Sequence, residues 1–232
     1  MATKTGSAGP STGPTKERLS REAVARAAME LADTEGIEAL TVRRLATTLG
    51  VTPMALYWHF KDKDALLDGV VEALMADVRA PAHDASASWD ERLRAELAAL
   101  LEGLAAHPAV ASLVKTRMLI SDPGRDVAER VLALLREGGF SAERTSQLAT
   151  YALLTMTSIV ADMPGLSIGA SEEEREQQVR RKWAALQALS PKRYPHIIDS
   201  AATLTDCVAS DQWLDFGLDT IMAGFRGQAP SA

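Results

Sequence analysis

The sequence predicts an all-α protein in which a small three-helix head, carrying a helix-turn-helix, is joined to a larger helical ligand-binding and dimerisation body. Three observations carry that expectation. The chain of 232 residues is 47% hydrophobic and dominated by alanine and leucine, with almost no strand-forming runs. Apolar residues recur at intervals of three and four, the period of helices with one buried face. Between positions 41 and 63, TVRRLATTLGVTPMALYWHFKDK, two short segments of this kind follow each other across a tight turn. The length suffices for two cores. The divisions read as a disordered arm over 1–18, a head with its connecting helix over 19–79, and a body over 80–232.

The arm is Gly, Ser, Thr and Pro with a few cations and little to bury. Ser20 is placed to cap the first helix, with Leu19 and Val24 as a hydrophobic staple and Val24, Ala27, Ala28 and Leu31 facing inward. Gly36 stops it. The next helix takes Thr41 as N-cap and buries Val42, Leu45, Ala46 and Leu49, after which Gly50 supplies the left-handed turn. A third helix starts at once, with Thr52 as cap and Pro53 at the first helical position. Leu56 and Phe60 face inward, which leaves Pro53, Met54, Ala55, Tyr57, Trp58 and His59 outward on a helix of barely two turns. Exposed aromatics at that density need a partner. The major groove of double-stranded DNA admits one such helix, and Arg43, Arg44, Lys61 and Lys63 against Asp62 give this stretch a net charge of +3.

Charge distribution supports that partner even though the whole chain carries −6. Residues 1–64 balance at +1 and the remainder at −7, so the acidity lies in the body.

A longer helix over 63–79 buries Leu67, Val70, Val71, Leu74 and Val78 and forms a lever from DNA to body. A small-residue loop over 80–88 follows. Ser88 and Glu91 make a capping box for a helix with Leu93, Leu97, Leu100 and Leu104 inward. His107-Pro108 breaks it, with His107 read as a carbonyl-capping side chain. A short helix over 109–120 precedes one begun by Asp122-Pro123, with Val127, Val131, Leu134 and Leu135 inward and a stop at Gly138-Gly139. The helix over 141–162 is apolar all round, through Leu148, Tyr151, Leu153, Leu154, Met156, Ile159 and Val160, so one chain cannot cover it. The last helix, 212–226, pairs a stripe of Leu214, Leu218, Ile221 and Phe225 with a second face of Trp213, Gly217 and Gly224. Together these two helices predict a homodimer built as a four-helix bundle about a two-fold axis. Between them lies a charged helix from 171, solvated on its acidic face, and a loop over 190–197.

Catalytic patterns are lacking: no phosphate-cradling glycine loop, no nucleophile elbow, and four scattered histidines without metal spacing. No cofactor or metal is expected. The single Cys207 fits a reducing cytoplasm, and no run is long enough to span a membrane. The body instead has the composition of a sensor for a small, largely apolar effector. Candidate lining residues are Leu104, Val114, Met118, Leu135, Met156 and Trp183, with Arg117 or Tyr151 as polar anchors.

The stretch LTVRRLATTLGVTPMALYWHFKDKDALL, positions 40–67, resembles the DNA-binding domain of the tetracycline repressor (TetR) family, and LYWHFKDKDALLDG is close to that family's signature. The likeness spans about 20–75 and continues more loosely to the C-terminus. It implies that Arg43 reaches a base, that Thr52, Pro53, Met54 and Ala55 face base edges, and that Thr41, Tyr57, His59 and Lys63 hold phosphates. It further implies a homodimeric repressor on an inverted-repeat operator, released by a small molecule. The pattern WxxxLR through AHP, positions 89–108, is similar to the tetracycline-binding branch. Val114 then stands where that branch has its metal-coordinating histidine, and Arg117 where it has a hydroxyl, which implies no metal and a different effector. Two other classes stay open on the sequence: an architectural DNA-binding dimer without effector, and a helical enzyme.

Overall fold

A computed structural model describes residues 19–82, 86–161, 172–205 and 210–230. Every regular element among the described residues is helical. The arm over 1–18, His83, Cys207 and the helix limits expected at 162 and 171 lie outside them.

The head contains α1 (Arg21–Glu35), a 3-10 turn (Ile37–Ala39), α2 (Val42–Thr48), α3 (Pro53–Tyr57) and α4 (Lys63–Asp77). The Ser20 hydroxyl accepts the Ala23 N–H at 3.0 Å, closing the first turn of α1 as predicted. The buried face of α1 is wider than the expected stripe: Ala25, Met29 and Ala32 join Val24, Ala28 and Leu31, while Ala27 is half-buried. Gly36 ends the helix at φ 90°, a backbone that side chains with a Cβ resist.

The body follows with α5 (Trp89–Ala106), α6 (Pro108–Arg117), a 3-10 turn (Met118–Ile120), α7 (Asp122–Glu137) and α8 (Ala142–Ala161). Beyond these come α9 (Glu172–Gln187), α10 (Pro195–Asp199), α11 (Ala201–Thr205) and α12 (Ser210–Arg226). The Ser88 N–H donates to Glu91 Oε2 at 2.8 Å in the expected capping box. Trp89 meets Phe140 edge-on, with ring centroids 5.8 Å apart, and packs against the bare face of Gly138.

Helix α4 joins the two parts. It packs on α1 in the head and on α5, α6 and α7 in the body, so the lever expected from the sequence is gripped on both sides. Leu66, Leu67, Val70, Val71, Leu74 and Met75 are all buried. Gly69 lets the helix lie against the ring of Phe60, since a Cβ there would come within 2.4 Å of that ring. Thus the end of the helix-turn-helix rests directly on the lever.

Two expectations are corrected. His107 closes α5 through its backbone N–H, which donates to the Leu104 carbonyl at 3.1 Å, and not through its side chain: the ring turns toward α1, where Nδ1 lies 2.6 Å from Asp33 Oδ2 and ties body to head. Gly217 does not belong to a second, outward face of α12. A Cβ there would come within 2.7 Å of Ile159 Cδ1, so it serves the packing of α12 on α8 within the chain, while Gly224 has open space around it.

Candidate nucleic-acid interface and effector cleft

The geometry of the head follows from three caps. The Thr41 hydroxyl accepts the Arg44 N–H at 3.1 Å and starts α2. Gly50, at φ 63°, turns the chain, and the Val51 N–H returns to the Ala46 carbonyl at 3.0 Å. The Thr52 hydroxyl then accepts the Ala55 N–H at 3.3 Å, with Pro53 in the first turn of α3. A five-residue helix has no stability of its own. It is anchored by Leu56 and Phe60, both buried, and by Arg21, whose guanidinium lies 4.3 Å from the centre of the Phe60 ring and donates to the His59 carbonyl at 2.9 Å.

What remains outward is the reading surface. Met54 is 66% exposed, Tyr57 48% and Trp58 85%, with Thr52 and Pro53 exposed beside them and Ala55 and His59 half-buried. Thr41 and Arg43 are exposed on α2, and Lys63 is exposed in the first turn of α4. That turn also carries the Asp62 cap, whose carboxylate accepts the Ala65 N–H at 2.7 Å. Lys63 lies where the positive end of a helix favours phosphate.

The four cations of the sequence are not equivalent. Arg44 is held by Glu35, with its Nε 2.9 Å from Oε2, and this pairing raises the guanidinium pKa and lowers that of the carboxyl. Arg43 and Lys63 have no carboxylate partner among the described residues, and Lys61 is only loosely near Asp62 at 3.9 Å. Sequence spacing could not separate Arg43 from Arg44. The turn that brings Glu35 beside Arg44 is a tertiary feature.

In the body, a cleft of about 250 Å³ opens between α5, α6, α7 and α8. Of the eight proposed effector contacts it takes Met118 and Met156, together with Leu97, Leu100, Val131 and Leu153. Leu104, Val114 and Leu135 are buried elsewhere in the core. Tyr151 points outward from α8, and Trp183 lines a separate depression with Val179 and Ala202 between α9 and α11. Arg117, expected as a polar anchor, turns the other way. It is bonded to Asp68 and lies 3.0 Å from Asp64 Oδ1, both on α4, and Asp68 first and Asp64 next raise its pKa. This clamp between body and lever is the feature of the arrangement that the sequence did not reveal. The pairing needs residues 49 and 53 positions apart to be brought together by the fold.

A capped helix-turn-helix with a free basic and aromatic surface, resting on a lever that a cavity-bearing body grips, defines a DNA-binding regulator with a sensor domain. The match to known families makes this particular. Residues 24–70 match the family of bacterial regulatory proteins of the tetR type, and residues 80–229 match the tetracycline repressor-like C-terminal domain. The tetracycline repressor protein class C of Escherichia coli is 33% identical over 213 residues, which is 90% of this chain and 91% of that one. The HTH-type transcriptional repressor DrrR1 of Streptomyces coeruleorubidus is 27% identical, over 94% of this chain and 80% of its own. Among solved structures, the TetR family protein ActR of Streptomyces coelicolor in complex with actinorhodin superposes with a TM-score of 0.77 at 25% identity, covering 92% of this chain and 98% of that one. The protein therefore belongs to the TetR family of transcriptional regulators, which binds DNA rather than catalysing a reaction. No helix among the described residues is long and apolar enough to cross a membrane.

Proposed function

We propose that this protein is a cytoplasmic homodimeric repressor that binds an inverted-repeat operator through residues 19–79 and leaves it when a small, largely apolar molecule enters the cleft of its body. The observation that carries this reading is the exposed surface of α3, with Met54, Tyr57 and Trp58 turned outward beside Arg43 and Lys63, which have no carboxylate partner among the described residues. Arg43, Thr52, Pro53, Met54 and Ala55 are its base-facing groups. Thr41, Tyr57, His59 and Lys63 hold phosphate, with Trp58 beside them.

The second half of the dimer is supplied by α8 and α12. Tyr151 and Leu154 on α8 and Trp213 and Phe216 on α12 are exposed in the single chain, and the two α12 rings stack at 5.6 Å. Their burial against a second copy would complete the bundle. Two heads then stand side by side and read half-sites of opposite sense.

Coupling runs from the cleft to α4. Met118 lines the cleft, and the preceding residue, Arg117, grips Asp64, the neighbour of Lys63, and Asp68 one turn further along α4. An effector that shifts the end of α6 moves that grip, so it binds the released state better than the DNA-bound one. Selection of sites from a random duplex library, at fixed salt, tests the reading. Recovery of an inverted repeat is expected; recovery of a single asymmetric site, or none, overturns it.

A further inference from the structure

The chemistry of the cleft narrows the kind of molecule it accepts. Its walls are aliphatic, from Leu97, Leu100, Val131 and Leu153, with the soft thioethers of Met118 and Met156 among them. Thioethers favour aromatic rings, whose edges they meet at low cost because the methionine chain adapts its shape. Among the described residues that line the cleft, Lys115 is the one charged side chain and none is a carboxylate. The contrast with its neighbour is informative: Arg117 is neutralised by Asp64 and Asp68, whereas Lys115 has no carboxylate partner among the described residues. A lysine stem lies along apolar surface and carries its ammonium to the rim. An uncompensated cation at the mouth of an apolar cavity attracts anions, repels cations and is indifferent to neutral molecules.

We infer that the cleft selects flat aromatic anions, such as aryl carboxylates, sulfonates or phenolates, with the ring system against Met118 and Met156 and the anionic group on the Lys115 ammonium. This rests on the reading of the cleft as the effector site. Lys115 also lies in the last turn of α6, where a cation complements the helix dipole. That role alone would leave ligand charge without effect, so charge selectivity separates the two.

The test uses the full chain and two fluorescent probes with the same ring system, 1-anilinonaphthalene-8-sulfonate and its neutral counterpart N-phenyl-1-naphthylamine. The anion is expected to bind about tenfold more tightly than the neutral probe, the scale of one charge-assisted contact. Lys115→Met should weaken the anion by about that factor and leave the neutral probe unchanged, and Lys115→Glu should weaken it further. Equal affinities in the parent protein, or an equal response of both probes to Lys115→Met, overturns the anion assignment while leaving the cleft as a site. Thr116→Trp, at an exposed lining position on α6 and away from the two helices of the proposed dimer, is expected to displace both probes by filling the space. If neither probe responds to it, both bind elsewhere and the effector-site reading itself falls. Thermal unfolding of each variant, expected to match the parent because both positions are on the surface, confirms that the fold is intact.

Discussion

Helices α4 and α9 are nearly equal in length, 15 and 16 residues, and opposite in surroundings. On α4 eight residues are buried, over a face much wider than one stripe, and only the side of Asp68, Glu72 and Ala76 is left open. None of the described side chains of α9 is buried; its main neighbours are the short α10 and α11, and Trp183 stands 47% exposed. A helix completed by its own chain transmits motion, because displacing it disturbs head and body together. A helix left uncovered depends on something outside the single chain to hold it, since a polar helix with nothing buried gains little from folding.

The sharpest break of this contrast is a pair of truncations. Leu74→Ala on α4 removes a fully buried side chain and should cost about 2–5 kcal/mol in denaturant unfolding. Trp183→Ala on α9 should cost less than about 0.5 kcal/mol in dilute monomer. A comparable loss from both would mean that α9 is covered even in one chain. At the DNA end of the lever, Arg43→Ala should cost about 1–3 kcal/mol of operator affinity and relax preference at one base pair, as read by site selection. Lys63→Ala should weaken all sequences alike and flatten the salt dependence by about one counterion per half-site. Identical behaviour of the two variants would erase the distinction between base and phosphate contacts.

At the body end, Arg117→Met removes the clamp on α4 and should change effector-driven release by about 0.5–2 kcal/mol while the cleft still binds its probe. Unaltered release would move the coupling elsewhere. The smallest effect concerns acid. The Asp77 carboxyl is held below its usual range, chiefly by its hydrogen bonds from Arg26, the nearer at 2.7 Å. A depressed carboxyl contributes stability that is complete above its unfolded pKa and is lost as the pH falls through the folded value. Stability should therefore decline below about pH 4, and Asp77→Asn should make that decline shallower. Because both side chains are about half exposed, solvent screens the pair and the change should be slight.

The helices of the head were legible because each is bounded by local chemistry: Ser20, Thr41 and Thr52 as caps, Gly36 and Gly50 as stops. The exposure of Met54 and Trp58 followed from periodicity alone. Partnerships across distance were not legible. Nothing local marks Arg44, and not Arg43, as the partner of Glu35, or the His107 ring as reaching Asp33. The cleft shows the same limit. Apolar and methionine-rich composition made Met118 and Met156 lining candidates, and equally Leu104, Val114 and Leu135, since the sequence reports that apolar side chains are covered and not whether by other side chains or by a void.

The brevity of α3 has a practical side. Among its five residues Leu56 alone is buried, and the fold is held by Phe60, Arg21 and Gly69 outside it. Positions 53 to 55 can thus be exchanged without disturbing any core contact, provided a good helix starter stays at position 53. The molecule is in effect a socket with a replaceable tip, in which a new address could be installed while the sensor, the lever and the stability of the whole are left as they are.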